Sequence, residues 1–180
     1  MLSKMLLTCL ALTVTSSVWA NTLDFNVTAR KGQVNNVDWN GTELGFSYLF
    51  DLNDAIAVGP YLSTTRWDIS NDDLKVDSKA DDREFGPEIR FVAPLETLEF
   101  LAGASYSLVS KGTAETEGGQ TADLAVRGLR FKIGLGLPFE SGAALNFWLV
   151  KGLQEVEVKA AHDKAHEDLD DIGLALSLGF

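Results

Sequence analysis

The stretch Asp171-Ile172-Gly173-Leu174-Ala175-Leu176-Ser177-Leu178-Gly179-Phe180 decides the fold. Ile172, Leu174, Leu176, Leu178 and Phe180 fall on one face of an extended chain. Asp171, Gly173, Ala175, Ser177 and Gly179 fall on the other. A helix would scatter these leucines around its circumference, whereas a strand separates them completely.

The same period of two runs backwards through the chain. Leu129, Phe131, Ile133, Leu135 and Leu137 alternate with Arg130, Lys132, Gly134 and Gly136. Residues 98–108, 85–93, 44–50 and 23–28 behave alike, and two more strands run over about 55–67 and 143–158. Clean phase is lost over 124–128 and in the far half of 143–158, which reads as a bulge. The count is about eight strands, most of them as long as the 9–11 residues that a tilted membrane strand needs, or longer. The links alternate in length. Those at 51–54, 94–96 and 138–142 are short and made of turn residues. Those near 31–41, 68–83, 111–122 and 159–170 are long and polar.

Which face is apolar separates a soluble barrel from a membrane one. The lumen of an eight-stranded barrel is just wide enough to be filled by side chains. Large residues on one whole face of every strand would overfill it. Pointed outward, they meet lipid, and the small and polar residues fill the lumen. The expected fold is therefore all-β: an eight-stranded antiparallel up-and-down transmembrane β-barrel, with short periplasmic turns and long outer loops. Aromatics at strand ends fit interfacial girdles, with Tyr48, Phe50, Phe100, Phe139 and Phe180 at one rim and Trp67, Phe85 and Tyr106 toward the other.

The first 20 residues stand apart from the barrel. Lys4 precedes an apolar run over 5–14, and Val18-Trp19-Ala20 supplies a cleavage site, the pattern of a secretory signal peptide. Residues 21–180 form the expected barrel domain. Cys9 is the sole cysteine, so the exported domain has no disulfide. Its strand ladder must hold it together. A net charge of −11 excludes a nucleic-acid partner.

The inward set predicted from phase is Asp24, Glu43, Glu88, Arg90, Glu99, Arg130 and Lys132. Opposite charges buried together must pair, because an unpaired one costs several kcal/mol. An ion-pair network plugging the lumen is expected, with a narrow ion path as the alternative. No catalytic constellation stands out and no cofactor is implied. His162 and His166 fall in the last long link, where a helix over 159–167 would give them a shared metal-binding face. The acids Asp68, Asp72, Asp73, Asp77, Asp81 and Asp82 match no calcium-loop spacing. Both segments read as solvated surface, with no metal site.

The mature chain resembles the small eight-stranded outer-membrane barrels of Gram-negative bacteria, the OmpX-like, OmpW-like and opacity-protein groups. The resemblance rests on the signal peptide, the alternation of links and the ending Ile-Gly-Leu-Ala-Leu-Ser-Leu-Gly-Phe at 172–180. It implies a monomer in the outer membrane, among lipid and lipopolysaccharide. It also implies that Phe180 is an assembly signal for the barrel assembly machinery. The expected function is a structural or surface-interaction role for a barrel with a filled lumen and acidic outer loops, not an enzyme; the alternative is a narrow channel for small molecules or ions, and behind it stand a lipid-A-modifying enzyme and a soluble periplasmic binding barrel.

Overall fold

A computed structural model describes residues 21–34, 37–71, 76–116, 121–159 and 164–179, with the side chains at 71–77, 116, 164–167 and 179 left aside. The predicted signal segment, His162 and Phe180 lie outside the described residues. Among the described residues there are nine strands: β1 (Asn21–Val34), β2 (Val37–Asn53), β3 (Ile56–Asn71), β4 (Val76–Pro94), β5 (Glu99–Ser107), β6 (Val109–Thr116), β7 (Thr121–Pro138), β8 (Ala144–Lys159) and β9 (Lys164–Gly179). Each pairs antiparallel with its neighbours, and β1 pairs with β9 from Asp24↔Gly179 to Gln33↔Asp170, which closes the ring. A closed ring leaves no unpaired edge.

β5 and β6 are one stave of an eight-stave barrel, broken by a bulge. Glu88 pairs with Ser105, but Phe85 already pairs with Val109, so the β5–β6 stave carries one extra residue. Leu108 and Val109 both face outward as a result. Across from the bulge stands Gly128, paired with Ser107 and held at φ 141°, a conformation that glycine tolerates best. The irregularity expected over 124–128 therefore lies on the neighbouring stave. Residues 124–128 keep an unbroken register with β8, although Ala125 is buried between Leu124 and Val126.

The large apolar face points out. Phe25, Leu62, Phe91, Phe100, Ile133, Phe147 and Leu176 are exposed, and Leu174 is 70 % exposed. A surface of this kind is stable only against lipid. This rules out the soluble periplasmic barrel considered above. Phe85, Tyr106, Phe100 and Phe139 stand outward as girdle residues. Trp67 does not; it is wholly buried inside.

The strands outrun the membrane. β4 has 19 residues and β7 has 18, far beyond a bilayer crossing. The polar segments expected as long loops are continuations of the ladder. β1 and β2 pair up to Val34↔Val37, and β8 and β9 up to Lys159↔Lys164. Along this upper portion the faces exchange character. On β1, Asp24, Asn26, Thr28 and Arg30 point in below, and Gly32 and Val34 above; Leu23, Phe25 and Val27 point out below, and Lys31 and Gln33 above. On β7, Arg130 and Lys132 point in below, and Leu124 and Val126 above. Outside the bilayer the exterior meets water, so the apolar residues turn to the interior. In place of the helix expected over 159–167, the described residues there, 159 and 164–167, are strand. Val156 and Val158 alternate there as strand residues, and pairing across the hairpin overrides the helix propensity of Ala, Lys and Glu.

Candidate functional site

The lumen is the one interior that every stave contributes to, and its contents change with height. At its middle, β1 carries Arg30 inward, in phase with Asp24, and the guanidinium is fully shielded from solvent. Its Nε donates to Asp171 Oδ2 at 2.7 Å and a terminal nitrogen donates to Oδ1 at 2.9 Å, a two-pronged contact with β9. The other terminal nitrogen donates to Glu43 Oε2 at 3.1 Å, and Arg30 also bonds Gln154. Arg130 reaches the same Glu43 oxygen at 2.7 Å and contacts Glu84 directly. Gln154 donates to Glu84 Oε2 at 3.0 Å. Staves β1, β2, β4, β7, β8 and β9 are thus joined through charged hydrogen bonds, the strong kind.

A second cluster lies nearer the periplasm. Arg90 meets Asp24 at 2.6 Å and Glu88 at 3.1 Å, and Lys132 donates to Glu88 at 2.8 Å. Ser47 donates to the other Glu88 oxygen at 2.9 Å. Both cations lie near the Trp148 ring, Arg90 at 5.1 Å and Lys132 at 5.5 Å from its centroid, and the Trp148 Nε1 donates to Ser177 at 3.0 Å.

Above the charges sits an apolar plug of Val34, Trp39, Trp67, Ile69, Val126, Val156 and Leu169. Trp67 stacks over Arg30 at 4.7 Å and meets the Trp39 ring at 5.6 Å. Gly41 makes room for it, since a Cβ there would lie 2.6 Å from the indole. Likewise Gly152 leaves space for the Asp171 carboxylate, whose Cγ would be 2.8 Å from an added Cβ.

The space left follows from this filling. Between the two clusters remains a void of about 20 Å³, room for about one water. Toward the periplasm the lumen opens into a blind vestibule of about 590 Å³, walled by Leu49, Val92 and Leu101 and floored by Arg90 and Asn146.

Of the residues singled out from sequence, Asp24, Glu43, Glu88, Arg90, Arg130 and Lys132 are brought together in these clusters. Glu99 faces inward too, but at the vestibule, and it makes none of the ion pairs among the described residues. It is the first residue of β5, beside the short link 95–98, below the height of the cations. Sequence reasoning missed Arg30, Glu84, Gln154 and Asp171. Glu84 and Asp171 already stand on the inward phase of their predicted strands, and Arg30 continues the phase of Asp24, so phase carried past that strand's predicted end would have found it. Of the acidic run over 68–82, Asp72 and Asp73 and the side chain of Asp77 lie outside the described residues, and the described acids do not converge. Asp68 and Asp81 face out, while Asp82 is buried inside, accepting from Ser110 at 2.6 Å. Among the described residues no group of acids and histidines is placed to hold a metal. His166 lies in β9, opposite Glu157, and not in a loop.

No protein-family model matches the chain, and no curated protein matches it in sequence. Solved structures do. Neisserial surface protein A aligns with a TM-score of 0.58 at 14 % identity, covering 88 % of this chain and 95 % of that one. Ail, the attachment invasion locus protein of Yersinia pestis, in complex with the heparin analogue sucrose octasulfate, aligns at 0.55 and 11 %, covering 90 % and 99 %. The outer membrane protein OprG of Pseudomonas aeruginosa aligns at 0.53 and 10 %, covering 89 % and 95 %. The fold is that of the small eight-stranded outer-membrane barrels, and the apolar belt is a surface suited to lipid.

Proposed function

We propose that this chain is a closed outer-membrane barrel with a structural and surface-interaction role, neither a transporter nor an enzyme. The observation that carries the reading is the filled middle of the lumen, with about 20 Å³ left between two ion-pair clusters and an apolar plug above. A hydrated ion crossing this section would have to break charged hydrogen bonds that hold six staves. Each carboxylate in the clusters is committed to a cation or a hydroxyl, which leaves none poised for chemistry. The strand portions that continue beyond the bilayer are the surface presented to partners. Their acidic exterior favours basic or cation-bridged partners over sulfated ones such as the ligand of Ail. The closed ring supports a monomer. Lipid around the belt and the barrel assembly machinery acting on the terminal strand complete the proposed set of partners.

Conductance across a planar bilayer tests the reading. The refolded chain is expected to give no current steps at moderate voltage. Stepwise currents whose ion selectivity changes in Lys132→Gln would replace it with the narrow channel, the reading to which the periplasmic vestibule leads.

A further inference from the structure

The outer surface carries a tier of cations where the exterior changes from apolar to polar. On climbing the outward face of each stave from the periplasmic side, the first charged side chain is Lys31 on β1, Arg66 on β3, Arg83 on β4, Lys111 on β6, Arg127 on β7 and Lys151 on β8. Only β2, with Asp38, and β9, with Asp170, meet an acid first. All six cations are exposed. The chain has 15 Lys and Arg against 26 Asp and Glu, so this placement runs against its composition.

Position fixes what the tier faces. Two residues below Lys31, Arg83, Lys111, Arg127 and Lys151 stand Ala29, Phe85, Val109, Leu129 and Leu149, the upper part of the apolar belt. Two residues above Arg66, Arg83 and Asp170 stand Asp68, Asp81 and Asp168. The cations occupy the level between hydrocarbon and the acidic rim, the level of lipid headgroups. Arg66 and Lys151 share their charge with Asp81 and Asp170, and Arg127 lies opposite Glu155. Arg83 and Lys111 differ. The ladder sets them directly opposite each other, and neither makes any of the ion pairs among the described residues. Like charges face to face on paired strands repel in water. An anion between them converts the repulsion into a two-sided clamp, with the guanidinium supplying paired donors to phosphate oxygens and the ammonium a point charge.

We propose that this tier, centred on Arg83 and Lys111, binds the phosphate groups of phosphorylated glycolipid in the outer leaflet. The inference rests on the placement in the bilayer and not on the closed lumen, so a conductance result leaves it standing.

The test uses the folded full-length mature chain in phosphatidylcholine vesicles doped with phosphorylated lipid A or with its dephosphorylated counterpart. The readout is the lipid retained by the protein after mild detergent extraction, measured by mass spectrometry. Preferential retention of the phosphorylated form is expected. In Arg83→Gln/Lys111→Gln that preference should fall about 25-fold, at roughly fivefold for each cation removed near an anionic surface. Lys79→Gln, which removes an exposed outward cation from the acidic rim, should leave it unchanged. Lys31→Gln/Lys111→Gln is the alternative pair if the first fails to fold, as judged by heat-dependent gel mobility, and it should lose the preference likewise. Equal retention of both lipids by the unaltered chain, or an undiminished preference in the folded double variants, would overturn the proposal. Displacement of the lipid by inorganic phosphate at equal concentration would also overturn it, because the tier would then be a site for the free ion.

Discussion

Replacing Arg30 by methionine isolates the central claim about the lumen. The methionine keeps much of the aliphatic stem under Trp67 and removes the charge. Three carboxylates lose a partner, but unequally. Glu43 still has Arg130 at 2.7 Å, and Glu84 still touches Arg130. Asp171 has no other cation among the described residues. The cost is therefore set by one buried, uncompensated carboxylate, about 3–5 kcal/mol when a partner is removed from a buried pair. Adding Asp171→Asn removes that charge while keeping its shape. The double variant should then lie only about 1–2 kcal/mol below the parent, the net worth of the hydrogen bonds lost. The double variant should thus be about 2–3 kcal/mol more stable than Arg30→Met alone, so the second change rescues the first and the two are far from additive. Equilibrium urea unfolding from lipid vesicles, followed by tryptophan fluorescence, measures all three variants, and Trp67 at 4.7 Å from the Arg30 guanidinium reports locally. A double variant no more stable than Arg30→Met, or a single-variant cost below about 1 kcal/mol, would show that Asp171 is not held as a buried ion-pair partner, and the reasoning would fail.

Other positions test the remaining layers. Trp67→Ala should destabilise by about 3–5 kcal/mol in the same unfolding assay, because it empties the centre of the apolar plug and its Nε1 has no hydrogen-bond partner to lose. Gly152→Ala should cost about 1–3 kcal/mol by pushing Asp171 off Arg30, and the cost should shrink in an Asp171→Gly background. Leu174→Arg, in the middle of the belt, should cost about 2–4 kcal/mol. Asp168→Arg, on the same outward face of β9 but above the belt, should stay within about 0.5 kcal/mol, and equal costs for the two would contradict the assigned bilayer position.

The membrane-spanning half of the barrel was legible because its alternation carries two signals at once, period and polarity. Leu174 and Leu176 against Gly173 and Ala175 show both, and so do Phe131 and Ile133 against Arg130 and Lys132. The lumen residues within those runs followed from phase alone. What sequence could not show was their pairing. Arg130 and Glu43 are separated by 87 residues, and their contact at 2.7 Å depends on how the ring closes. The bulge was misplaced for a related reason. An extra residue at Leu108 and a change of polarity at Leu124 both disturb a hydropathy pattern, and only the register separates them.

The upper half was misread as loops because a strand leaving a bilayer keeps its period and exchanges its faces. Beyond Arg30 the inward positions of β1 become Gly32 and Val34 and the outward ones Lys31 and Gln33. Hydropathy then shows a run that is polar on average, as a loop would be. The same exchange explains why Trp67 is not a girdle residue. Thr65 points into the charged lumen, and Trp67, one inward step higher, points into the plug, while Arg66 between them faces the headgroup level. One step along a strand thus separates an ion-pair bed from an apolar core on the inside, and lipid from water on the outside. Both boundaries have one cause, the edge of the bilayer. It lets the exterior turn polar, and it obliges the apolar side chains that the ladder still needs to pack inward.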